Sequence, residues 1–175
     1  MKLKPLMIVL SFVISTGFLF GGWLIYKNVL IEEPLKNWIN QQKEVRFIDM
    51  EIKPNHASVT IAIDPSTKSV RELYKMVENK LKDITRSREI DIILKEDESN
   101  PLTTLWYSQS FLMKEALSQR TYSQIPFLIE NWKENQYIDK GEAELDEENV
   151  YLFLQKGKHT LVKVIPLDEE VKGNG

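Results

Sequence analysis

The uncharged run from Pro5 to Tyr26, PLMIVLSFVISTGFLFGGWLIY, constrains this chain more than any other feature. At 1.5 Å of rise per residue a helix of that length is about 33 Å long, enough to cross the roughly 30 Å hydrocarbon core of a bilayer. A cleavable signal peptide has a shorter apolar core, about 7 to 15 residues, followed by small residues at its cleavage site. Here the small-residue window Ser15-Thr16-Gly17 lies inside the run, which closes on Trp23, Leu24, Ile25 and Tyr26. Residues 5–26 therefore read as an uncleaved transmembrane anchor whose partner is the lipid bilayer. The chain has no cysteine, so a lipid-modified cysteine is not the anchor.

Lys2, Lys4 and the α-amino group make residues 1–4 a short basic tail, and such a tail ahead of a first span stays in the cytoplasm. The expected localisation is the cell membrane, single-pass, with the N-terminus inside and the C-terminal domain outside. With Lys2, Lys4 and Lys27 set aside from the 23 basic residues, 20 remain against 26 acidic ones, a balance of −6. That balance argues against a nucleic-acid surface. Without cysteine there is no disulfide framework or thiol chemistry. The Lys, Ile, Glu and Asn usage suits a bacterial cell envelope that does not rely on disulfides.

After the anchor, residues 27–43 read as a juxtamembrane helix or stalk, with Leu30, Ile31, Leu35, Trp38 and Ile39 at helical spacing and Pro34 interrupting it. From Val45 the period becomes two. Ile48, Met50 and Ile52 are expected on one strand face, Lys53-Pro54-Asn55-His56 as a turn, and Ala57, Val59, Ile61 and Ile63 on one face of the next strand. Ser69-Val70-Arg71-Glu72 has the spacing of a capping box, opening a helix with the stripe Val70, Leu73, Val77, Leu81 and Ile84. Ile90, Ile92 and Leu94 alternate again. Val45 to Lys95 thus reads as ββαβ, and it resembles the small α/β modules of bacterial envelope and sporulation assembly proteins; the resemblance brings no site residue with it.

The acidic loop Glu96-Asp97-Glu98-Ser99 precedes a helix capped by Asn100, with Pro101 in its first turn and Leu102, Leu105, Trp106, Leu112, Met113 and Ala116 on its apolar side. Pro126 is expected to open a second helix that buries Phe127, Leu128 and Trp132. Three strands follow: Gly141 to Leu145, Val150 to Gln155 and His159 to Ile165, the last two joined through Gly157. The fold class is therefore α+β: an N-terminal transmembrane helix, then one small mixed domain over residues 44–167 made of a ββαβ unit, a helical pair and a three-stranded C-terminal sheet. Residues 168–175 read as a disordered tail.

No catalytic constellation emerges. His56 and His159 each sit at an expected turn, and no nucleophile elbow, S-x-x-K or papain-like pattern is present. Metal-binding spacings are missing, and the acidic loops at Glu96 and Asp146 lack the twelve-residue calcium pattern. No glycine-rich phosphate loop occurs, and Gly141 and Gly157 read as turn residues, so no cofactor is expected. Asp49 with Glu51 and Glu142 with Glu144 form i, i+2 acid pairs, as the solvent face of a sheet would. Trp and Tyr are enriched where proteins bind proteins, which makes Tyr107, Tyr122 and Trp132 the candidate partner surface.

The sequence thus points to a non-enzymatic, membrane-anchored domain that binds or scaffolds an envelope protein, or associates with itself. Two alternatives follow from the same residues: a sensory or small-ligand-binding domain with a cavity lined by those aromatic rings, and an envelope hydrolase using the paired carboxylates.

Overall fold

The computed structural model describes residues 5–25, 29, 31–53, 55–85, 89–96 and 100–167, with side chains in the first segment given at Met7 and from Val9 to Gly22. The basic tail, Tyr26, Lys27 and Leu30, Pro54 of the first turn, most of the acidic loop at residues 97–99 and the tail from Asp168 lie outside the described residues. The protein is α+β, with five helices and two three-stranded sheets.

Helix α1 runs Pro5–Ile25 and is apolar all round. Its described large apolar side chains, from Met7 to Phe20, stand exposed. Among the described residues no helix is long and apolar enough to cross a membrane.

The chain then passes through a π-helical turn at Ile31 and Glu32 into α2, Glu33–Gln41, with Pro34 in the first turn. Proline fits there because the first turn has no intrahelical partner for its missing N–H. Ile31, Leu35 and Ile39 are fully buried, so α2 packs into the first core and contributes to the domain itself.

The first sheet joins β1, Val45–Ile52, antiparallel to β2, His56–Ile63, and β2 parallel to β3, Glu89–Leu94. Helix α3, Val70–Thr85, makes the crossover and lays Leu73, Val77 and Leu81 on the sheet. One expectation fails here. The register slips between Phe47 and Asp49, a bulge that takes Ile48 out of the alternation. Val45 and Phe47 join Met50 and Ile52 in the core, and Ile48 is exposed. A bulge adds one unpaired residue, so the strand switches phase in its middle. His56, expected in the turn, opens β2 instead, with Nε2 3.5 Å from Asp91 Oδ2 across the parallel pair.

The second sheet is antiparallel: β4, Lys140–Leu145, β5, Asn149–Lys156, and β6, His159–Pro166. Gly157 turns the β5–β6 hairpin at φ +56°, a conformation that suits glycine. Gly141 is no turn residue. It lies in β4 where a Cβ would meet Ile129 Cγ2 at 2.6 Å and Ile138 Cδ1 at 2.8 Å.

Helices α4, Pro101–Ser118, and α5, Gln124–Glu134, cover one face of this sheet, burying Leu102, Met113, Ile129 and Trp132 against Val150, Leu152 and Leu154. The opposite face of β5 carries Tyr151 and Phe153, packed with Val70 and Tyr74 of α3. All five residues from Val150 to Leu154 are buried, because β5 is covered on both sides. Helix α3 is the shared layer. One of its faces completes the first core and another meets the second sheet, with the Tyr74 and Tyr151 rings edge to face at 5.6 Å.

Candidate functional site

Asn100 fixes where α4 starts. Its Oδ1 accepts from Leu102 N at 3.0 Å, and its Nδ2 donates to the Thr160 carbonyl of β6 at 2.6 Å. This cap orients the helix so that Leu102, Met113 and Ala116 point into the second core, with Leu105 and Trp106 partly covered. The opposite side is apolar too. Tyr107 and Phe111, one turn apart, are 68% and 76% exposed, and Leu112 beside them is exposed. On α5, which packs against α4, Phe127 is 76% exposed.

Three of these positions correct the sequence reading. Phe127 was expected in the core and stands in solvent, because α5 turns Ile125, Ile129 and Trp132 inward and the residue two after Ile125 falls on the far side. Leu112 is outside for the same reason, beside the buried Met113. Trp132, a candidate partner residue, is 1% exposed and belongs to the core. Tyr122 is half-buried against the same core, and Tyr107 faces out. Trp132 therefore fills the core where the ligand-binding alternative wanted it to line a cavity. The exposed large apolar side chains on these two helices are Tyr107, Phe111 and Leu112 on α4 and Phe127 on α5, of which the sequence pattern singled out Tyr107 alone.

The most elaborate polar cluster joins the two halves of the domain. Lys75 of α3 lies 3.2 Å from Glu78, 3.5 Å from Asp146 and in contact with Glu148. Tyr151 Oη donates to Asp146 Oδ2 at 2.7 Å, and Asn149 N and Glu148 N donate to Asp146 Oδ1. The hydrogen bond to Glu148 is the largest influence on Lys75 and, with Glu78, raises its pKa above the ordinary lysine value. Burial pushes Asp146 up, but the hydrogen bonds from Tyr151, Glu148 and Asn149 outweigh it, leaving its carboxyl below the usual range. Burial and the adjacent Asp146 raise Tyr151. A phenol held neutral beside a carboxylate is the reverse of an activated nucleophile, so the cluster reads as a clasp between α3 and the β4–β5 turn.

The paired acids are engaged separately. Glu142 meets Lys140 at 3.0 Å and Glu51 meets Lys53 at 3.2 Å. Glu144 accepts from Ser69 Oγ and Arg71 N at the start of α3, and Asp49 is exposed on β1. Among the described residues no group of three His, Asp or Glu side chains is placed to hold a metal ion. Compared with protein-family models, curated proteins and solved structures, the chain matches none.

Proposed function

We propose that this protein is a single-pass, membrane-anchored, non-enzymatic domain that docks another envelope protein, or a second copy of itself, through the aromatic face of α4 and α5. The observation that carries the reading is the joint exposure of Tyr107, Phe111 and Phe127 on two helices packed together. Large apolar rings left exposed on packed helices of a polar domain are the usual mark of an interaction surface. Large rigid rings give contact area at low conformational cost, which favours docking over mere tolerance of solvent.

The anchor is supported by the uncharged run Pro5 to Tyr26 and by the exposed apolar side chains around α1, which need a non-aqueous environment. In this reading the basic residues before the run stay inside and the domain is exported. A reporter fused after Gly175 that works only outside the cytoplasm should be active, and one that works only inside should be silent; the reverse pattern overturns the placement.

Docking is tested by replacing Phe111 and Phe127 with Ser in the full chain and sizing the complex extracted from native membranes. Wild type should migrate as an assembly, and the double variant as a smaller species with unchanged expression. A wild-type protein that migrates alone overturns the proposal.

A further inference from the structure

The bulge at Ile48 does more than interrupt a strand. It sets Ile48, beside Arg46, in the wall of a cleft of about 340 Å³ between the first sheet and the β5–β6 hairpin. Bulges re-aim side chains in this way at functional positions. Arg46, Lys95, Lys158 and His159 also line the cleft, and among the described residues no carboxylate does. Its apolar wall includes Leu94 and Val162.

The chain is acidic overall, and many of its lysines are neutralised locally. Lys75, Lys82, Lys133, Lys140, Lys156 and Lys163 each have a carboxylate partner. Arg46, Lys95 and Lys158 have no ion pair among the described residues, and all three are exposed. Asp64 is the acid that feels Arg46, but its carboxylate is already bonded to the Ser66 hydroxyl and N–H, which are the larger influences on it. Asn100, at the start of α4, also lines the cleft, so the positive end of that helix dipole lies at its edge.

From three fixed positive charges, a histidine and an apolar wall in one cleft, we propose that it binds a phosphate-bearing ligand. Arg46 supplies the planar fork that grips two oxyanion oxygens, and Lys95 and Lys158 act as point charges on a multiply charged group. Ile48, Leu94 and Val162 would receive the uncharged body of the ligand. The same chemistry is offered by a free phosphorylated compound and by the headgroup of an anionic lipid. The site is distinct from the aromatic face, to which none of its lining residues belongs.

Pyrophosphate is the probe, titrated by calorimetry into the full chain held in phosphatidylcholine nanodiscs. Saturable binding is expected, weakened about tenfold or more by Arg46→Gln and again by Lys158→Gln, and unchanged by Lys133→Gln on α5. All three positions are exposed or half-exposed, and thermal melting verifies that the variants fold. If phosphatidylglycerol in the discs suppresses pyrophosphate binding, the occupant is a lipid headgroup; if it does not, the occupant is a free ligand. Absence of saturable binding, or equal weakening by the Lys133 control, overturns the proposal. Because the readout is anion affinity, its failure leaves docking through Phe111 and Phe127 untouched.

Discussion

Glu144 of β4 caps α3 from the other sheet: its Oε1 accepts the hydroxyl of Ser69, 75 residues earlier, at 2.7 Å. Its other oxygen accepts the N–H of Arg71 at 3.0 Å, and the Arg71 side chain lies 3.9 Å away. The start of α3 therefore has one local cap, Ser69 Oγ accepting from Glu72 N at 3.1 Å, and one supplied by the other sheet. Unpaired N–H groups at a helix start attract acceptors, and a carboxylate there also meets the positive end of the dipole.

Replacing Glu144 with Ala should destabilise the full chain by about 1 kcal/mol, the usual loss for a cap, as read by urea denaturation in detergent. Glu72→Ala, by contrast, should have a smaller effect, since Glu72 contributes its backbone N–H and keeps it. Equal losses would mean that the sequence-local box, not Glu144, holds the helix end.

The Lys75 clasp predicts a pH signature on both sides of neutrality. Glu78 is raised by burial but lowered more by Lys82 and Lys75, so Glu78 and Asp146 both have folded pKa values below their unfolded ones. Their contribution is present above the unfolded carboxylate range, about pH 4, and is lost as pH falls through the folded values. Lys75 is raised, so its contribution is full below the unfolded lysine value of about 10.4 and disappears only as pH rises through the higher folded value. Lys75→Met should cost about 1 kcal/mol at pH 7, given its partial exposure, and flatten the acid-side loss of stability. A pH–stability curve parallel to wild type between pH 3 and pH 7 contradicts this account.

Gly141→Ala tests the close approach of α5 to β4. The new methyl would lie 2.6 Å from Ile129 Cγ2, and with Ile138 Cδ1 and Leu154 Cδ2 also within 3.3 Å it has nowhere to go without moving core side chains. Overpacking of this kind costs about 1–3 kcal/mol. A variant with wild-type stability would show that α5 shifts freely on the sheet.

Much of this architecture can be read from periodicity and caps. The strand alternation of Ala57, Val59 and Ile61, the α3 stripe and Asn100 before Pro101 each state a local rule that the fold obeys. What was illegible depends on distant partners. Ile48 leaves its face because of a bulge, and a bulge has no signature in a strand that is apolar on both sides of it. The apolar surface of α4 runs so far around the helix that periodicity alone assigns Leu112 to the core and gives no reason to expose Phe111. Helices α4 and α5 end on Arg120 and Gln136 with positive φ, where glycine would have marked the stop. The cationic cleft assembles residues from β1, β3 and β6, so no window of sequence contains it.

The most direct test of docking through α4 and α5 places a photo-crosslinking amino acid at Tyr107, Phe111 or Phe127 of the full chain in its native membrane, with Asp49 on β1 as the control position. The account predicts one discrete adduct shared by the three aromatic positions, at twice the chain mass for self-association or at another fixed mass for a different envelope protein, and none from Asp49. Adducts equally from all four positions, or from none, would contradict it.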